Sequence, residues 1–224
     1  MTSSLSTANS VTMEADQADT LSFERFAGNC TILAGISNFL YAVAFVVIAR
    51  SSPALGSFLT SLFLLISSLL VTTMVVALYF RLRKVDVAFA LWALLLGLVG
   101  ALGAAIHGGY DLGNAINPPV AAGTEVATAL AALPSQVDPR GLTTFGIMGL
   151  AILVFAWLMG RDNSFPPNLR YLSYLFGALF IILFLARLIV FNPANPLLLV
   201  PVLITGFLVN PAWHIWLGLT LRRR

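Results

Sequence analysis

The stretch VAFALWALLLGLVGALGAAIH, residues 87–107, decides the fold. At 1.5 Å of rise per residue its 21 residues span the roughly 30 Å hydrocarbon core of a bilayer. Its apolar character runs right round the helix, leaving no polar stripe to face water. Five further stretches read the same way: Gly28 to Ala49, Leu55 to Phe80, Gly141 to Gly160, Tyr171 to Phe191 and Leu197 to Leu221. Across all six, Arg187 is the only full charge. A membrane barrel would instead show alternating segments of about ten residues. The expected fold is therefore all-α: a polytopic membrane protein with a six-transmembrane-helix bundle over residues 26–224.

The rest of the chain fits that solvent. Of its 224 residues, 59% are hydrophobic and 9% charged, against roughly 45–50% and 25% in soluble domains. A water-soluble fold is excluded on those grounds. The first 25 residues are polar, carry Glu14, Asp16, Asp19 and Glu24, and lack the basic start and early apolar run of a secretory signal. They are too polar to bury surface, so a disordered tail is expected. The single cysteine, Cys30, allows no internal disulfide.

Six crossings put both termini on one side. Nine of the twelve basic residues fall there: Arg25, Arg81, Arg83, Lys84, Arg161, Arg170 and Arg222 to Arg224. Arg50 and Arg140 lie on the other side. The positive-inside rule then expects both termini in the cytoplasm. The net charge of +3 is thereby explained as a topology signal with lipid head groups as partners, and a nucleic-acid partner gains no support from it.

Residues 108–140 form the one sizeable outer loop. Within it, Thr124 to Leu133 has a Thr start signal and apolar spacings of three and four, which predicts a short helix lying at the interface. Such a loop reads either as a cap over the bundle or as a lid. In the third span Gly97, Gly100 and Gly103 alternate with Ala101 and Ala104, a spacing that lets two membrane helices approach closely and marks this span as central.

Polar side chains within lipid point to function, because they face other helices or a cavity. His107, Tyr110, Asp111 and Asn114 fall on one face if the third helix continues through Gly108 and Gly109. Arg187 lies about 6 Å from the outer end of the fifth span, a depth that suggests a pair with Asp111 or a side chain snorkelling outward. These five are the candidate ligand-binding residues. Near mid-depth stand Asn38, Tyr41 and Asn210, the last before Pro211, which predicts a kink near Phe207. Inter-helix hydrogen bonding is the simpler reading of that group, and a pocket the other. His214 sits beside Trp213 and Trp216, which read as interface anchors.

These positions exclude several chemistries. A haem held by both histidines fails because His107 and His214 are roughly 20 Å apart in depth. Zinc lacks a ligand set on one side of the membrane. Retinal would need a lysine inside the bundle, whereas Lys84 lies in a loop. No cofactor is expected. Ser57 and Ser61 could in principle meet His107 and Asp111 as a hydrolase, although no nucleophile-elbow motif supports this.

Three further segments carry a resemblance: Arg25-Phe26-Ala27-Gly28, Tyr79-Phe80-Arg81-Leu82-Arg83, and Asn210-Pro211-Ala212-Trp213-His214-Ile215-Trp216-Leu217-Gly218. Over about residues 20–224 the chain resembles an uncharacterised bacterial family of six-span integral membrane proteins, grouped only as a domain of unknown function. The resemblance implies a bacterial inner-membrane protein and transfers no catalytic residues. Three functional classes stay open: a non-catalytic structural or small-ligand- or lipid-binding component, with a homo-oligomer or a membrane complex as its setting; a transporter or channel for a small solute; and an intramembrane hydrolase.

Overall fold

The computed structural model describes residues 3–117, 137–190 and 195–223, with side chains from Leu21 onward. Among them, six helices are long and apolar enough to cross a membrane: α1 Leu21–Ser51, α2 Pro53–Leu82, α3 Val87–Ile116, α4 Leu142–Met159, α5 Pro167–Ile189 and α6 Pro196–Arg222. No strand occurs among the described residues. The chain is an integral, multi-pass membrane protein, and its lipid-facing surface carries exposed Leu33, Val47, Leu95, Ile106, Ile189 and Leu208. Such a belt would be unfavourable in water and is neutral in hydrocarbon.

Local signals set the helix starts. Proline occupies the first turn of α2, α5 and α6, where its missing N–H removes no intrahelical bond. The Asp86 carboxylate caps α3 by accepting from Ala88 N and Phe89 N, both at 3.1 Å. The helix of α1 extends back to Ser3, through the polar segment for which composition predicts a disordered tail. The predicted interfacial helix at 124–133 lies outside the described residues.

The six helices form a closed ring in chain order, with α6 returning to pack on α1. The start of α1 and the end of α6 therefore lie side by side; a Cβ at Gly28 would stand 2.8 Å from Gly218 O and 2.7 Å from Arg222 Cγ. This is called the terminal end below. The small-residue face of α3 meets α2 at Val75 through Gly97, and α4 at Met148 and Thr143 through Gly100 and Gly103. The close approach expected of that face is present, but α3 is not the central span. The helices α2 and α4 are more enclosed, because α3 uses its small residues on two neighbours at the ring's edge.

Helix α3 also runs to Ile116, well past the expected loop start at residue 108. Two glycines cost a helix about 1 kcal/mol each relative to alanine. Gly108 offsets this by packing backbone to backbone on α2, where a Cβ would stand 2.8 Å from Leu65 N and 3.0 Å from Ser61 O.

The interior is divided along its length. Every large side chain that is fully enclosed lies in the terminal half, among them Met74, Leu78, Phe155, Phe176, Trp213 and Leu217. Trp213 is a core residue, 1% exposed, and not the interface anchor expected from its sequence position. Its Nε1 donates to Ser173 Oγ at 2.7 Å, and Ser173 Oγ donates in turn to Leu169 O at 2.8 Å. A buried indole N–H needs such a partner, and here it ties α6 to α5.

Candidate functional site

The half of the bundle away from the terminal end holds the polar residues. Because α3 continues past Gly109, His107 and Asp111 share a helix face one turn apart, and His107 Nε2 lies 3.1 Å from Asp111 Oδ2. Their side chains are 11% and 25% exposed, so the pair is reachable from the outer end without being at the surface. Asn114 is half-buried one turn further out. Tyr110 is 40% exposed and turns away from the interior, so it does not join the cluster.

The other ring nitrogen of His107 faces α4. Thr144 Oγ1 stands 3.5 Å from His107 Nδ1 and donates to Asp138 Oδ2 at 2.9 Å. Asp138 is buried just before α4 and accepts three more bonds, from Thr143 Oγ1 at 2.8 Å, Thr144 N at 3.0 Å and Thr143 N at 3.4 Å. Burial alone would push the Asp138 carboxyl up, but these four donors outweigh it and hold it below the usual carboxylate range. The geometry is that of a helix cap: a carboxylate satisfies the first N–H groups of α4 where the helix dipole favours negative charge. Gly141, at φ 76°, makes the left-handed turn that brings Asp138 back onto those groups.

Arg187 does not pair with Asp111 among the described residues. Its Nη2 donates to Pro139 O at 3.5 Å, and its guanidinium lies 5.4 Å from the Phe145 ring centre. The 138–141 turn intercepts it, since that turn offers a carbonyl and α4 an aromatic face before Asp111 is reached. Arg140 answers by donating to Arg187 O at 3.3 Å, at the carboxyl end of α5 where a cation is favoured. Tyr41 of α1, half-buried, lies within electrostatic reach of both Arg187 and Asp111.

Deeper, Asn38 Nδ2 donates to Asn210 Oδ1 at 3.0 Å and joins α1 to α6. A π-helical turn at Thr205–Val209 precedes Asn210, where the sequence predicts a kink from Pro211. The wider turn accommodates a proline that cannot donate to the helix. Similar turns occur at Ala44–Ile48 in α1 and Leu142–Ile147 in α4, so all three spans that border the polar half are locally overwound. His214 Nδ1 lies 3.0 Å from Asn210 O, and the ring stacks edge-on against Phe176 and Trp213. It belongs to the enclosed terminal half and is separate from the His107 cluster.

Two buried hydroxyls in the polar half, Thr60 Oγ1 and Thr205 Oγ1, have no hydrogen-bond partner among the described residues. By helical rise, Thr60, His107, Tyr41 and Thr205 all lie about 10–15 Å from the outer ends of their spans. An unsatisfied hydroxyl in an apolar medium is costly, so two at one depth mark a place where polar matter is accommodated.

A hydrolase constellation does not form. Ser61 Oγ donates back to Ser57 O at 2.9 Å, and the hydroxyl that reaches His107 belongs to Thr144, whose only proton is committed to Asp138. No base is left to activate it. Among the described residues, no three His, Cys, Asp or Glu side chains converge as metal ligands.

The sequence reading missed Asp138, Thr143 and Thr144, which lie at a loop end with no motif. The signal was present in Asp138-Pro139-Arg140-Gly141, an acid and a glycine just ahead of an apolar run. Comparison with known protein families, with curated proteins and with solved structures finds no match to this chain.

Proposed function

We propose that this protein is a non-catalytic, membrane-embedded binding component for a small polar ligand, held in a recess of the outer half near Tyr41, His107, Asp111 and Arg187. The observation that carries this reading is the division of the interior. Bulky apolar side chains fill the terminal half, while the other half holds a partly exposed His–Asp pair and unpartnered threonine hydroxyls. Intramembrane ionisable groups mark ligand or ion sites when they face a bundle interior. The charge bias of the loops favours termini in the cytoplasm and a recess open to the outside, and the family resemblance favours a bacterial inner membrane.

Thermal melts of the detergent-solubilised protein against panels of small amines, amino acids, carboxylates and lipids test the reading. At least one compound is expected to raise the melting temperature of the wild type and not that of Asp111→Asn. If no compound separates the two, the reading is wrong.

A second reading, a transporter for a small solute, is favoured by the broken helix at Thr205–Val209 beside Asn210 and Pro211, since transporter sites use interrupted helices. Flux into reconstituted vesicles, compared with Asn210→Leu, distinguishes the two. A binding component moves no solute in either form, whereas a transporter moves it and loses the flux in the variant.

A further inference from the structure

At the terminal end one buried guanidinium joins four elements. The Arg81 side chain is 2% exposed, and its Nη1 lies 3.9 Å from Glu24 Oε2 of α1. Arg81 also donates from Nη1 to Thr220 O of α6 at 3.4 Å and from Nε to Ser164 Oγ at 3.3 Å. The guanidinium lies 4.6 Å from the Phe165 ring centre. Ser164 donates its hydroxyl and its backbone N–H to Asp162, which pairs with Lys84 at 3.6 Å.

Two features separate this cluster from a permanent clamp. Arginine clamps on carboxylates are short and bidentate, whereas these contacts to Glu24, Thr220 and Ser164 run from 3.3 to 3.9 Å, and Glu24 Oε2 accepts no hydrogen bond among the described residues. Secondly, the partners divide into two bodies. Helices α1 and α6 are joined along their length, at Gly28 with Gly218, at Gly35 with His214, and at Asn38 with Asn210. Glu24 and Thr220 belong to that pair, while Arg81, Ser164 and Phe165 belong to the remainder of the ring.

We infer that Arg81 is the latch of a closure at the terminal end. When Glu24 and Arg81 part, the α1–α6 pair swings away from α2, and the polar recess gains access from the terminal side. This inference deepens the proposed ligand site and rests on it for its purpose. Its test needs no ligand, so the two fail separately: a silent compound panel removes the ligand and leaves the latch to be judged by its own measurement.

Cys30, the chain's only cysteine, provides the readout. It is buried on α1 six residues beyond Glu24, so it is shielded while the latch is closed. Alkylation by a water-soluble maleimide is expected to be about tenfold faster in Glu24→Gln, which keeps the side-chain shape, and in the milder Ser164→Ala. A second cysteine placed at buried Ser61 of the outer half, in a Cys30→Ser background, is expected to keep its rate when Glu24→Gln is added. Unchanged Cys30 labelling in both variants, or an equal rise at both positions, overturns the latch.

Discussion

The Asn38 side-chain amide donates to the Asn210 side-chain carbonyl at 3.0 Å, joining residues 172 apart in the chain. Each amide is the other's partner in a medium that offers few substitutes. Inter-helix hydrogen bonds of this kind average about 0.6 kcal/mol, with a maximum near 1.7. Asn38→Leu and Asn210→Leu are each expected to lose about that much in detergent unfolding. The double variant should lose less than the sum, and strict additivity would show that the bond carries nothing.

His107 and Asp111 should behave as a unit, and Arg187 should not. The first two are 3.1 Å apart, whereas Arg187 is engaged by Pro139 O and the Phe145 ring. A double-mutant cycle on His107→Gln and Asp111→Asn is expected to show coupling of about 0.5–3 kcal/mol, while the cycle on Arg187→Met and Asp111→Asn stays within about 0.5 kcal/mol of additive. A large coupling in the second cycle would restore the ion pair that depth alone suggests.

Acid should weaken the fold through two capped carboxylates. Burial raises Asp138 and Asp162 alike, but the donors from Thr143 and Thr144 on one, and from Ser164 with Lys84 and Arg81 on the other, bring both below 3.8. The folded chain then binds these protons less readily than the unfolded chain. Their stabilisation is complete above the unfolded value and is lost as pH falls through the lower, folded one. Melting temperature is expected to hold down to about pH 4 and decline beneath it. Asp138→Asn with Asp162→Asn should lower the neutral-pH melting temperature and flatten that decline.

Two glycines should respond oppositely to alanine. A Cβ at Gly218 would stand 2.6 Å from Gly28 O, a backbone atom that cannot rotate away, while one at Gly113 meets nothing within 4 Å. Overpacking of this kind costs about 1–3 kcal/mol, so Gly218→Ala should destabilise by that order. Gly113→Ala should stabilise by up to about 1 kcal/mol through helix propensity. Unfolding in detergent checks both, and a neutral Gly218→Ala would mean that α1 and α6 are less tightly joined.

The spans were legible because lipid imposes one rule on every residue that faces it, and a run such as residues 87–107 states that rule without ambiguity. The polar sites were legible only in part. Asn38, His107, Asp111 and Asn210 stood out because polar residues in lipid are rare, and the structure pairs them two by two. Arg81 did not stand out, since an arginine at the end of a span looks the same in sequence whether it reaches for head groups or turns inward to Glu24. Asp138 was hidden for a related reason: its role as a cap depends on the left-handed turn at Gly141, which no periodicity announces. The proposed Arg187 contact went astray because depth along a helix says nothing about azimuth, and azimuth gave Arg187 to the 138–141 turn.

The confinement of Trp213, Phe155, Phe176 and Met74 to one half gives the molecule a stiff base and a compliant mouth. Amide exchange should be slowest in the base. Residues of the mouth hold few helices together, so a shift in what the protein accepts requires exchanges at only a handful of positions, and the scaffold beneath them can stay as it is.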